Sequence, residues 1–486
     1  MNKKVYIPIA LLLLIAGLLC LNNEFCDNVI NFLGYLFHKE LSHVFWKYGL
    51  QHTGVELILF SVLVLLYVFF LYKRKKLFFI ISSACVIATF IIYAYCNSVN
   101  FPIAEDYNHF LKFLNYYSVE KKIINIFDQE DDVRVTMMHL WSVLLYKLGN
   151  VNFILLILFS NACVIISYFI LLKLIPNEYE NKEFIFLILA ILIFQFQYYD
   201  VSTWASGGIY HGCTAFYAII TFYLLNKKNV YYYFFALCFS AISIMNCPAG
   251  FSVIAVGLIL LTSEKRIKEA LIWIGISVLI IVAYLHNYST KDIHAFSETS
   301  FAAITNRVVN GFLFSCTFLG GFFQFMYDIT LPIVFGLSIW ICFILLTVKK
   351  YYKKNPVIYF MLLFILLTSL MPPIDRAFCR IDAGLTVRYG IYSIIGVACC
   401  LIALFEIVNK KYFNKYIKIA FIFSITYHLA TNIFFYPEDP IRKELLSQLI
   451  LKIKNKGDYV LPPHTPVDGK EILNESIKKK IYTLPE

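Results

Sequence analysis

A chain of 486 residues that is 60% hydrophobic and 18% aromatic, with 15% charged side chains, has more apolar surface than a soluble fold can hide. A lipid bilayer is the remaining solvent. The formal net charge of +11 does not indicate nucleic acid, because Lys and Arg stand in short clusters beside apolar runs, where they set membrane orientation.

At about 1.5 Å rise per residue, a helix of roughly 20 apolar residues crosses the hydrocarbon core. The first apolar run, 5–21, follows Lys3 and Lys4 and has no small-residue cleavage site. It therefore reads as an uncleaved first span rather than a signal peptide. Further runs fall near 55–72, 77–95, 153–175, 184–200, 209–225, 230–246, 247–263, 269–288, 329–348, 357–371, 389–405 and 417–435. The basic clusters at 73–76, 227–228, 264–268, 349–354 and 410–418 all fall between spans on one side, which predicts short inward loops and an inward N-terminus.

Two stretches remain open at this level. Residues 230–263 are either two tight spans meeting at Asn246-Cys247-Pro248 or one span and a re-entrant segment. Residues 311–327 are apolar but short and broken by Gly, which fits an interfacial or re-entrant helix. The expected fold is an all-α polytopic membrane protein with about thirteen transmembrane helices and amphipathic interfacial helices in its outer loops. Its transmembrane domain covers 1–435, with outer segments 22–54, 96–152, 289–328 and 372–388. The tail, 436–486, is polar enough to sit in water as a small appendage.

The 13 Cys lie mostly inside apolar runs, where they behave as small hydrophobes, and no pair has C-x-x-C metal spacing. Chemistry gathers instead in the outer segments. In AEDYNHFLKFLNYY, Tyr107, Phe110, Leu111, Leu114 and Tyr117 recur at helical spacing, which predicts a short amphipathic helix with Glu105 and Asp106 in its first turn. The macrodipole alone favours carboxylates there by about 0.3–1 kcal/mol each, so N-terminal helix acids are the plain alternative to a catalytic pair. If FDQEDDVRVTMMHLW is helical from Asp128, then Asp128, Asp132, Thr136 and His139 share one polar stripe.

The third stretch, 372–393, carries Arg376, Arg380 and Arg388 where basic residues are disfavoured, so they need an anionic partner. Asp375 and Asp382 are one possibility, and a phosphate is the other, since the guanidinium fork suits its oxygens. Gln195, Gln197, Asp200, Trp204, His211, Asn246, His286, Asn287 and Asp328 collect at the outer ends of spans, which predicts an outward polar cavity.

The acidic AEDY after the third span, the polar DDVRVTMMHL and the VRYGIYS entering a late span resemble the type-C (GT-C) membrane glycosyltransferases, in the bacterial branch that modifies surface polysaccharide and O-antigen. The resemblance implies an acidic base at Asp106, with Glu105 as neighbour, and a donor phosphate held at Arg388 beside Tyr389, helped by Arg376 or Arg380. It also places Asp132, Arg134 and His139 near substrate, although relatives carry an Asn/Glu-His-Arg cluster where this chain has Asp131, Asp132, Val133 and Arg134. The implied donor is a polyprenyl-phosphate-linked sugar and the acceptor a glycan or lipid, with inversion at the anomeric carbon. No metal is required, though paired acids could hold a divalent cation. The implied setting is a bacterial inner membrane with the site facing outward. A polysaccharide polymerase acting on lipid-linked repeat units would centre on the Arg-rich loops. A lipid-linked oligosaccharide flippase or other transporter would place polar residues deep within its spans.

Overall fold

In the computed structural model, the described residues are 3–37, 42–71, 74–130, 133–176, 179, 182–289, 301–325, 328–375, 380–455 and 457–485. Almost all regular structure in them is helical. The exception is a two-stranded antiparallel ladder in which Gln129 faces Arg134 and Glu130 faces Val133. Nine of the described helices are long and apolar enough to cross a bilayer, and the bent pair Tyr6–Leu21 and Asn23–Tyr35, turning by 86°, would be a tenth. Three shorter apolar helices, Val230–Asn246, Gly250–Ser263 and Pro356–Pro372, fall where the remaining spans are expected. The chain is a multi-pass helical membrane protein.

Boundaries moved where side-chain packing outweighs mean hydropathy. The span expected at 55–72 begins at His43, with the Ser42 hydroxyl accepting from Phe45 N at 3.5 Å as its N-cap. Its first turns carry His, Lys and Gln, yet they bury Gly49, Leu50 and Thr53. Residues 230–263 form two helices. Pro248 has no N–H to offer and forces Cys247 into an extended conformation, so the first helix stops at Asn246. Gly250 then turns so close to the preceding helix that a Cβ there would sit 2.3 Å from the carbonyl carbon of Ser243. Within 289–328 the helix Phe301–Gly320 starts ten residues earlier than the apolar run, and it crosses Thr330–Val348 at Gly320 and Gly336.

The chain divides into two compact units, neither of which matches a split at residue 435. The first contains Met1–Asn97, Ile175–Tyr199 and Ile407–Glu444; helix Lys3–Leu21 packs on His43–Leu66, and Lys410–Phe435 packs on both His43–Leu66 and Lys182–Ile193. The second contains Ser98–Leu174, Asp200–Glu406 and Leu445–Glu486.

In the second unit the tail is not a free appendage. Helix Gly469–Lys478 packs on the first-loop helical segment, and the buried Asn115 fastens it. Asn115 Nδ2 donates to Ile472 O at 3.1 Å, its Oδ1 accepts from Ser476 Oγ at 3.1 Å, and Lys479 Nζ donates to its carbonyl at 2.7 Å. The predicted stripe of Tyr107, Phe110, Leu111, Leu114 and Tyr117 does lie on helix, a π turn at Tyr107–Lys112 followed by Phe113–Glu120, and all five side chains are buried.

Candidate functional site

Glu105 and Asp106 stand at the exit of a tight turn. Ala104 adopts φ +45°, a left-handed conformation uncommon without glycine, and Asp106 N donates back to Ile103 O at 2.9 Å. The Asp106 carboxylate closes that turn by accepting from Ile103 N at 3.0 Å. Its other oxygen accepts from Ser206 N at 3.0 Å and from Ser206 Oγ at 2.5 Å. Only 1% of Asp106 is exposed, and burial pushes its carboxyl up to about 7 against the pull of those hydrogen bonds.

Two further segments converge here. Residues 204–212 run from Trp204, whose Nε1 donates to Ile103 O at 3.0 Å, into a helix that opens into a π turn at Gly208–Gly212. Gly208 is required there, because a Cβ would meet Ser160 Oγ at 2.3 Å. The other segment is the short turn Val387–Tyr389. It presents Arg388, whose Nη1 donates to Glu105 Oε1 at 3.1 Å across 283 residues of chain. The widened turns at 107–112 and 208–212 both flank the site, as π turns often do.

The result is a cavity of about 220 Å³. Glu105, Arg388, His109, His211 and Ser206 supply its polar walls; Trp204, Tyr210, Tyr389 and Met138 supply most of the apolar surface, and Glu130 stands at its edge. Two buried polar atoms of the wall, Glu105 Oε2 and His211 Nδ1, find no hydrogen-bond partner among the described residues. The His211 ring is held edge-on by Tyr389 and Tyr392, at 5.5 and 5.8 Å between centroids. Ser206 Oγ lies 3.5 Å from His109 Nδ1 and so stands between that imidazole and the hidden Asp106.

The structure brings Glu105, Arg388 and Tyr389 together at this cavity, but Asp106 lies behind its wall. The helix expected from Asp128 begins only at Thr136, after a 3₁₀ turn at Ile123–Phe127 and the two-stranded ladder. Val133, whose branched side chain favours a strand, pairs in the ladder where that helix would have run. The polar stripe therefore does not exist. Arg134 is buried and donates to the carbonyls of Phe127 and His286, so it ties the ladder to the end of Ile267–Leu285. His139 is buried, stacked on Phe113 at 3.9 Å, with Nδ1 3.0 Å from Ile126 O; burial drives its pKa down to about 3 and keeps it neutral. Arg380 is 85% exposed and makes a two-pronged pair with Asp382 at 3.0 and 2.7 Å. Asp132 and Arg376 lie outside the described residues.

His109, Ser206, Tyr210 and Glu130 were not singled out by sequence reasoning. Trp204 and His211 stand out in the sequence only as members of the polar set at the outer span ends. A signal did exist in Ser206-Gly207-Gly208, three small residues inside an aromatic-rich run. Among the described residues, no group of three or more His, Cys, Asp or Glu gathers at metal-binding distance. Comparison with protein-family models, curated proteins and solved structures gives no match.

Proposed function

We propose that this chain is a membrane glycosyltransferase that moves a sugar from a polyprenyl-phosphate donor to a cell-surface glycan or lipid acceptor, on the outward side of a bacterial inner membrane. The observation that carries the reading is the Glu105–Arg388 pair at the cavity wall, 3.1 Å apart, since it joins the acidic segment and the phosphate-suited segment. The aromatic faces of Trp204, Tyr210 and Tyr389 beside it suit the C–H face of a sugar ring.

The base is assigned to Glu105, because it lines the cavity with its Oε2 unpartnered among the described residues, while Asp106 is hidden and fully hydrogen-bonded. An arriving donor phosphate competes with Glu105 for the Arg388 fork. Glu105, released, accepts the proton of the acceptor hydroxyl as that oxygen bonds to the anomeric carbon. The bond from that carbon to the phosphate oxygen breaks, and the leaving polyprenyl phosphate keeps the electron pair, its charge met by Arg388. A single displacement inverts the anomeric carbon. Asp106 acts through Ser206, by holding the segment that forms the facing wall.

The test is sugar transfer by the purified protein in lipid discs from a panel of polyprenyl-phosphate sugars. Glu105→Gln is expected to lower turnover by about 10²–10⁴-fold. Arg388→Ala is expected to lower it by about 10²–10³-fold. Full turnover in a folded Glu105→Gln would move the base elsewhere, and no transfer from any donor by wild type would overturn the reading. One observation favours the transporter alternative, namely the ionisable side chains buried within the spans of the first unit, Glu56 and His428.

A further inference from the structure

The first unit buries two carboxylates, and they are neutralised in different ways. Asp439 is answered by Arg442, a cation at every accessible pH, and by Tyr93 OH at 2.6 Å. Among the described residues, neither Lys nor Arg pairs with Glu56. Its polar partners are all His or Asn: His428 Nε2 at 3.0 Å and Asn432 Nδ2 on Oε2, and His52 Nε2 at 3.4 Å from Oε1. Glu56 and His428 are 4% and 3% exposed, inside the apolar helices His43–Phe70 and Lys411–Lys454.

The hydrogen-bond inventory fixes where protons must be. His428 Nδ1 lies 3.2 Å from the Ile191 carbonyl, which can only accept, so Nδ1 carries a hydrogen. Nε2 then faces a carboxylate oxygen, and two lone pairs would meet unless one proton lies between them. With that proton the pair is neutral overall; without it a carboxylate stands in an apolar span with no cation beside it among the described residues, which the bilayer strongly disfavours. His52, stacked on Tyr436 at 3.8 Å and 11% exposed, holds its Nε2 3.4 Å from Oε1 and is the more accessible of the two imidazoles.

We propose that Glu56 and His428 form an intramembrane proton-binding site, with His52 as the route by which the proton enters and leaves. Other titratable groups around it are the phenols of Tyr93, Tyr436 and Tyr48 and the mutually paired Asp439 and Arg442. Loaded, the site fastens His43–Leu66 to Lys410–Phe435; unloaded, it leaves a bare carboxylate at that contact. Its ligand is the proton itself, whatever chemistry the second unit performs.

The experiment is nitrogen-15 NMR of histidine-labelled full-length protein in lipid discs, with His428 assigned by the signal lost in His428→Gln. In wild type the His428 ring is expected to hold both protons at about pH 8, where a free imidazole has lost one. In Glu56→Gln, which preserves shape and hydrogen bonding, it is expected to be neutral there. A His428 ring neutral from about pH 6 upward in wild type, or doubly protonated in Glu56→Gln as well, would overturn the site. Thermal unfolding of wild type against pH gives a second readout that needs no variant. Stability should fall as alkaline pH strips the proton, and a flat profile between about pH 7 and 10, above the titration of Asp106, would equally overturn the proposal.

Discussion

Asp106 and His139 show how burial alone can remove a side chain from acid–base duty. Asp106 binds a proton up to about pH 7, whereas the unfolded carboxyl loses it near 3.8. Between those values the unfolded state has released a proton that the native state keeps, so stability falls as pH rises from about 4 to 7. Thermal unfolding in lipid discs should show that decline, and Asp106→Asn should flatten it. His139 keeps a neutral ring down to about pH 3, so His139→Ala should remove packing rather than a charge. The expected loss is roughly 2–4 kcal/mol, by analogy with large-to-small core changes. The pH dependence of transfer above about pH 5 should keep its wild-type shape, and a displaced profile would return His139 to the chemistry.

Close crossings and the tail clamp set the elements. At Gly336 a Cβ would lie 1.8 Å from the Cys316 carbonyl oxygen, so Gly336→Ala should force Thr330–Val348 away from Phe301–Gly320. A loss of about 1–3 kcal/mol is expected, readable as a lower unfolding temperature. Asn115→Ala removes the two side-chain ties to the C-terminal helix, to Ile472 O and from Ser476 Oγ, and leaves the Lys479 bond to its backbone carbonyl. Limited proteolysis should then cut the tail between 455 and 468 faster than in wild type, with transfer reduced because Glu105 and His109 lie on the segment that this helix supports. Unchanged cleavage would mean that other contacts suffice to hold it.

For the molecule as a whole, the apolar belts and the basic clusters make one claim about orientation. Cys96 is exposed at the end of Lys75–Asn97 away from the basic cluster at 73–76. A membrane-impermeant maleimide should therefore label it from outside intact cells. Labelling only after the membrane is opened would invert the topology and, with it, the side proposed for the cavity.

The sequence by itself determined the solvent, the helical class and the approximate place of most of the long apolar helices, because about 20 apolar residues in a bilayer can satisfy their backbone only as helix. It also drew out the Glu105–Asp106 pair and the three Arg of one outer loop, Arg376, Arg380 and Arg388, since charges beside span ends are costly enough to stand out. Sequence reasoning could not separate Glu105 from Asp106, because adjacent residues share every local pattern; only the turn at Ala104 and the contact with Ser206 turned one toward the cavity and the other away. Nor could it foresee that Glu56 meets His428 across 372 residues, or that the polar tail is a clamp. Those outcomes depend on which helices touch, and in a bilayer that is decided by side-chain fit and hydrogen bonding between elements rather than by hydropathy along one of them.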